Sequence, residues 1–363
     1  MRKAFCLGLL MAGLVFRVFS ANILVPSLEL VTRGYMDNGS FALSTRGDLD
    51  LLVEGGYKFG GQVILNIESE ELHDLSDSSA LGFKSAAIQL RNLFSIPLDL
   101  TWFAGEYDNL CTGDLFPVFF GTGRIASRFG GYMYFPEGVQ YEGIHQVAGT
   151  GVKLETTFGS ESNRTGFYIY QDSFLGTGHF SADFWTIQNF RSFKLESFIG
   201  ASFPASVYGY YRAGLLLYYQ AGNTGEFLTQ VGIPRWDPVN DPMQIDLFYF
   251  LFEPRVHLGL LSIIMTLFWH PEYYHQVQTN ELGSVDVNVN FQLGNPDVNI
   301  YSGGIETNLS FLTYLDQQFK AGISPYFSAI TSGVIWDFKV NVKLFPFDLS
   351  DLAEGYIGIR AEF

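Results

Sequence analysis

The chain has 363 residues, of which 47% are hydrophobic and 17% aromatic but only 16% charged, against roughly a quarter charged in ordinary soluble domains. With 35 Phe, 20 Tyr and 39 Gly, the composition is poor in helix formers and rich in strand and turn formers. A formal charge of −16 excludes nucleic acid as a partner, because phosphate binding needs a basic face.

Met1-Arg2-Lys3 gives the chain a positive start, and residues 4–16 form an apolar run of signal-peptide length. Val18-Phe19-Ser20 then places an aliphatic and a small residue where a signal peptidase reads them. The run is shorter than the ~20 residues of a spanning helix, so residues 1–20 are expected to be a cleaved signal peptide and 21–363 one domain. Removing the leader removes Cys6. Cys111 then remains alone, which excludes an intramolecular disulfide and a Cys-based zinc site.

Beyond the leader the dominant signal is alternation. Leu49, Leu51 and Val53 alternate with Asp48, Asp50 and Glu54; Val63, Leu65 and Ile67 face away from Gln62, Asn66 and Glu68. Further strands are expected near 84–94, 98–106 and 125–135. Val152, Leu154 and Phe158 oppose Lys153 and Glu155, and strands follow near 165–172, 179–190, 193–203, 207–220, 226–233 and 244–253. Residues 245–269 are the one long apolar stretch. Asp246, Glu253, Pro254, Arg255 and His257 interrupt it, so two strands and a tight turn fit better than a spanning helix. The cleanest runs come last: Val285 to Leu293 against Asp286, Asn288, Asn290 and Gln292; Tyr301 to Phe311 against Glu306 and Asn308; a strand near 317–328; and Trp336 to Leu344 against Asp337, Lys339, Asn341 and Lys343.

Breakers fall at Gly60-Gly61, Pro97, Gly149-Thr150-Gly151, Gly222 to Gly225, Gly294-Asn295-Pro296 and Ser332-Gly333. Long polar connections are expected at 70–82, 107–124, 233–244, 270–283 and 345–355. Runs of about ten residues with one apolar and one polar face suit strands that cross a bilayer at a slant, and lipid makes closure obligatory because an open edge has no water to bond. The expected fold class is all-β: a transmembrane antiparallel up-and-down β-barrel of about 16 strands, in a range of roughly 14 to 18. Aromatics at strand ends, such as Tyr132, Tyr134 and Phe135 or Phe268 and Trp269, suit two interfacial girdles.

The chain ends Tyr356-Ile357-Gly358-Ile359-Arg360-Ala361-Glu362-Phe363. Ile357, Ile359, Ala361 and Phe363 share a strand face. This resembles the terminal assembly signal of bacterial outer-membrane β-barrel proteins, with Tyr356, Gly358, Ile359, Ala361 and Phe363 in the matching places; Ala361 is smaller than the residue usual there. The resemblance implies export to the bacterial outer membrane, with lipid, periplasmic chaperones and the barrel-assembly machinery as partners.

No catalytic constellation stands out. His270, Glu272 and His275 lie close together in an expected loop, without the defined facing geometry a metal site needs; His145, His179 and His257 form no recognisable nucleophile arrangement. Asn163-Arg164-Thr165 matches a glycosylation sequon, which a bacterial context makes a coincidence. No phosphate loop or dinucleotide fingerprint is present. Neither enzyme activity, metal nor cofactor is expected.

The segment 108–121 is an apolar loop between polar strands, which either folds inward to narrow a pore or caps one rim. Asp48, Asp50, Glu54, Glu68, Arg91, Lys153, Glu155, Glu196, Asp286, Glu306, Asp337, Lys339, Lys343, Arg360 and Glu362 are expected to point inward. Acids outnumber bases among them, which implies a modest cation preference. Three functions remain open: a passive channel for small solutes, a structural or surface-interaction barrel whose loops meet ligands or host partners, and an uptake route for apolar molecules.

Overall fold

The computed structural model describes residues 22–37, 39–55, 57–69, 80–120, 122, 143–203, 209–222, 224–274, 277–278, 283–296, 298–311, 319–349 and 352–362. The leader over 1–20, the strand expected at 125–135, His275 and Phe363 lie outside the described residues, as do the side chains of Glu68 and Glu362.

Asn22–Leu24 (β1) is a short strand outside the barrel. The wall begins with Ser27–Asp37 (β2), Ser40–Glu54 (β3), Phe59–Ser69 (β4), Ala80–Leu90 (β5), Leu98–Leu110 (β6), His145–Phe158 (β7) and Ser160–Asp172 (β8). Phe180–Phe190 (β9), Phe193–Phe203 (β10), Tyr210–Ala221 (β11), Gly225–Trp236 (β12), Tyr249–Leu258 (β13) and Leu261–Trp269 (β14) continue it. Tyr273–Tyr274 (β15) and Val277–Gln278 (β16) form a separate two-stranded sheet. Val285–Leu293 (β17), Tyr301–Phe311 (β18), Phe319–Thr331 (β19), Val334–Phe345 (β20) and Ala353–Glu362 (β21) complete the wall. Each wall strand pairs antiparallel with the next, β14 with β17, and β21 returns to β2 from Ser27↔Glu362 to Gly34↔Gly355. The result is a closed antiparallel barrel of 18 strands.

That is two strands more than the sixteen expected, because the hairpins are tighter than assumed and a strand at Ser27–Asp37 was not anticipated. Only Gly159 separates β7 from β8, and residues 191–192, 259–260 and 332–333 are whole turns. Two supposed breakers are strand interior: Gly60-Gly61 lie in β4 and Gly149-Thr150-Gly151 in β7. The strand expected at 244–253 begins later, at Tyr249, after a single 3₁₀ turn at Ile245–Leu247.

One end of the barrel carries the short connections 55–58, 91–97, 159, 191–192, 222–224, 259–260, 294–300 and 332–333, together with both chain termini of the wall. The other end carries 38–39, 70–79, 111–144, 173–179, 204–209, 237–248, 270–284, 312–318 and 346–352. All five long connections expected from the sequence fall at this second end.

Burial alternates along the wall as side chains alternate on a pleated strand. In β11 Tyr211, Ala213 and Leu215 are exposed while Arg212, Gly214 and Leu216 are buried. Phe41, Phe83, Trp102, Phe167, Phe184, Ile199, Phe250, Phe291, Ile305, Phe338 and Ile357 are all exposed on outward positions, an apolar band far larger than water tolerates on a monomer. No described helix is long and apolar enough to cross a membrane.

Candidate functional site

The interior departs from a plain tube where β6 meets β7. The pairing of β5 with β6 stops at Ser85↔Gly105, and that of β7 with β8 at Gly149↔Asp172. Beyond these points the two strands pair with each other, from Glu106↔Ala148 to Leu110↔His145, and the Ser173 N–H donates to the Ala148 carbonyl at 3.0 Å. Gly105 and Gly149 are themselves cross-strand partners, with φ of 93° and 146°. A Cβ at Gly105 would sit 2.1 Å from the Lys84 carbonyl oxygen, and one at Gly149 1.8 Å from that of Gln171. Only glycine permits this close approach, and here the hairpin leaves the wall.

It turns inward. Leu110, Cys111, Phe116, Ile144 and Val147 are completely buried against the inner residues Phe103, Tyr168, Trp185, Ile187, Phe198 and Leu216. Gly214 and Gly232 make room for Ile144, since a Cβ on either would come within 2.8 or 3.0 Å of its Cδ1. The short helix Phe116–Phe120 (α1) follows. Of the two readings of 108–121, inward folding is the one observed over the described residues 108–120.

Polar groups tie this insertion to the wall. The Cys111 and Gly113 N–H groups donate to Glu196 Oε1 and Oε2 at 2.7 and 2.9 Å, and Trp185 Nε1 donates to Oε1 at 2.9 Å. Gln230 donates its amide to the Cys111 carbonyl. Phe119 lies 4.2 Å from the Arg164 guanidinium and Phe120 5.2 Å from Lys194. At the long-loop end His145 stacks on Phe198 and shares a 3.0 Å hydrogen bond with Tyr170. Tyr170 donates to Asp183 at 2.9 Å, and Arg212 grips Asp183 at 2.7 and 2.8 Å and Ser202 at 2.5 Å. All six side chains are fully or almost fully buried.

The charges expected to point inward are largely arranged as pairs. Asp48 meets Lys84 at 2.5 Å, Glu54 meets Arg91 at 2.9 Å, and Asp50 accepts from Gln62 at 3.0 Å. Lys153 bridges Asp108 and Glu155 at 3.1 and 2.8 Å, and Glu155 also meets Arg164 at 2.6 Å. Glu306 pairs with Lys339 at 2.7 Å, Asp337 with Arg360 at 3.1 Å, and Lys343 with Glu354 at 3.3 Å. Asp286 accepts from Ser284 at 3.2 Å, and Glu68 stands opposite Arg46 in register. Across strands 36 to 45 residues apart in sequence, as with Lys84–Asp48 and Lys153–Asp108, such pairs fix register as well as charge.

In the final strand Tyr356 donates to Glu354 at 2.7 Å and Gly358 faces Asp337, whereas Ile357, Ile359 and Ala361 take the opposite positions. His270 packs edge-on against Phe268, and no cluster of three metal-ligating side chains occurs among the described residues. The sequence reading missed the His145–Tyr170–Asp183–Arg212 network, the Arg33–Glu354 pair at 2.8 Å, and the Gly105–Gly149 bend. The signal available was two glycines of Gly-rich stretches standing opposite one another, which needs the register to be seen.

No family model and no curated protein sequence matches the chain. Solved structures do match in fold. Wzi of Escherichia coli, described as a carbohydrate-binding outer-membrane β-barrel involved in group 1 capsule assembly, superposes with a TM-score of 0.57 at 12% identity, over 98% of this chain and 87% of Wzi. OccK10 of Pseudomonas aeruginosa gives 0.57 at 10% identity over 94% and 99% of the two chains. OccK2 of the same bacterium, solved with glucuronate, gives 0.53 at 9% over 94% and 97%. The fold is that of the large outer-membrane β-barrels.

Proposed function

We propose that this chain is an outer-membrane channel for the passive passage of small solutes, narrowed from within by the β6–β7 hairpin. The observation that carries this reading is the seating of that hairpin on the inner wall, in a barrel whose inner face is polar over much of its circumference and whose outer face is apolar. Long loops at one end and short turns with the termini at the other are the usual asymmetry of such barrels, which puts the long loops outside the cell and the turns in the periplasm. Residues 1–20 act as the export signal, and residues 356–363 as the strand read by the assembly machinery. Asp48, Asp50, Glu54, Arg91, Lys153, Glu155, Asp286, Glu306, Asp337, Lys339, Lys343 and Arg360 line the path, with an acidic surplus that gives a modest cation preference.

Liposomes carrying the refolded protein should swell in small sugars and exclude larger ones; impermeability to every solute tried overturns the channel reading. Reversal potentials in a salt gradient should favour cations, and an anion-selective potential removes the charge argument. A second reading, a surface-interaction barrel with a filled lumen, draws on the density of interior ion pairs. It predicts no swelling at all. Uptake of apolar molecules fits less well, because those pairs line much of the interior.

A further inference from the structure

We infer that the conducting path hugs the inner face of β3 and β4, away from the seat of the β6–β7 hairpin, and that Asp50 gives it its cation preference. The inference rests on the channel reading and adds to it the stretch of wall and the side chain that select the ion.

Water reaches the inner wall unevenly. The apolar cluster that seats the hairpin draws its wall residues from β5 to β14, and none from β2 to β4 or from β17 to β21 among the described residues. On β17 to β20 the inward Asn290, Glu306, Asp337 and Lys339 are buried too, held by Tyr326, by one another and by Arg360. β3 and β4 differ. The inward, even-numbered positions from Arg46 to Glu54 on β3, and from Gln62 to Asn66 on β4, are all half-buried. The Asp48 side chain is 42% exposed and that of Glu54 29%, against 3% at Glu306 and 0% at Asp183. An inward charge that keeps this much surface in water borders the lumen, whereas a buried one is walled off from it.

Of the three inward carboxylates on β3, two carry their own cation. Lys84 meets Asp48 at 2.5 Å, and Arg91 meets Glu54 at 2.9 Å. Asp50 stands between them and has no cationic partner among the described residues. Its Oδ2 accepts from the Gln62 amide at 3.0 Å, and its Oδ1 has no hydrogen-bond partner. An amide holds a carboxylate in place without cancelling its charge. A close ion pair presents only a dipole to passing ions, but a lone charge beside a low-dielectric wall gathers counter-ions over about a Debye length, ~10 Å in 0.1 M salt. The path therefore favours small cations over anions of the same size.

The test uses the full mature barrel in planar bilayers under a potassium chloride gradient. Wild type should favour potassium over chloride, and Asp50→Asn, which keeps the shape, should bring the permeability ratio toward one. Gln62→Lys, which supplies Asp50 with a cation, should do the same without removing the carboxylate. Glu253→Gln changes a buried inward carboxylate beside Arg255 and should leave the ratio as in wild type. The loss in Asp50→Asn should be largest in dilute salt and fade at ~1 M, where the screening length is about 3 Å. The position of the path is read separately in a Cys111→Ser background. A cationic methanethiosulfonate should reduce the current through Leu52→Cys, on the same inner face of β3, and leave that through Asn290→Cys unchanged.

The outcomes separate. Absence of any current overturns the channel reading, and the path with it. A current reduced as strongly through Asn290→Cys as through Leu52→Cys leaves a channel but moves its path off β3 and β4, which overturns the inference. So does a permeability ratio that Asp50→Asn does not change, or an equal loss in Glu253→Gln. If Asp50→Asn does not fold, Gln62→Lys decides: a wild-type ratio in that variant overturns the assignment of Asp50.

Discussion

Asp183 on β9 and Arg212 on β11 flank β10, with its Gly200 between them in register, and both are removed from water. Such a pair contributes little net stability when intact, but losing one member strands a charge. Arg212→Met should therefore destabilise the barrel by about 3–5 kcal/mol, read from guanidinium unfolding in detergent, and the double variant Asp183→Asn/Arg212→Met should recover much of the loss. A double-variant cost equal to the sum of the two single-variant costs would show that the pair is not coupled. Individual residues were legible to different degrees. Alternation alone put Asp286, Glu306, Asp337 and Lys339 on the inner face. It could not say that Glu306 meets Lys339 or that Asp337 meets Arg360, because partner identity follows from register, and register is set by turns. Glu196 was legible as inward, but its hydrogen bonds from Cys111 and Gly113 were not, since those partners are 85 and 83 residues away in sequence.

Among strands, clarity of the pattern tracks what lies inside. β17, β18 and β20 alternate cleanly because their inner faces are polar. In β9 to β13 the pattern blurs because the inserted hairpin presents an apolar surface to the wall: Trp185, Ile187, Phe198, Leu216 and Leu251 point inward, and Phe184, Ile199, Leu215 and Phe250 outward. A strand buried on both faces loses its alternation. Residues 245–269 read poorly for the same reason, and Pro254 marks the place where the β13–β14 ladder skips from Phe252↔Leu267 to Arg255↔Ile264. Two predictions belong here. Val289→Arg, midway along the outer face of β17, should cost about 2–4 kcal/mol, and Leu293→Arg at the strand end only about 0–1 kcal/mol; equal penalties would argue against a depth-dependent apolar surround. Gly149→Val meets the Gln171 carbonyl at the bend and should cost at least the roughly 1–3 kcal/mol of an overpacked core position, seen as a lower temperature of the heat-modifiable transition. A neutral effect would remove the need for glycine at that bend.

The whole molecule is a closed wall with an apolar outside, a largely polar inside and one hairpin of its own chain docked within. Its two ends differ in connection length, which makes orientation testable. In a Cys111→Ser background, Val239→Cys on the 237–248 connection should label with a membrane-impermeant maleimide on intact cells, whereas Leu260→Cys in the 259–260 turn should not; the reverse pattern would invert the topology. Closure, antiparallel order and the long-loop end could be read from the sequence. The exact number of strands could not, because it depends on one- and two-residue turns and on the strand Ser27–Asp37; nor could the filling of the lumen, because it depends on the bend at one glycine pair.

The most direct test is a spin-label scan along β17 in lipid vesicles, one position at a time from 285 to 293 in the Cys111→Ser background. Labels at 285, 287, 289, 291 and 293 should be relaxed by oxygen dissolved in the acyl chains and shielded from an aqueous nickel chelate, with the even positions reversed or protected from both. Access of the nickel chelate to the odd positions, or no alternation at all, would contradict a barrel whose outer face meets lipid.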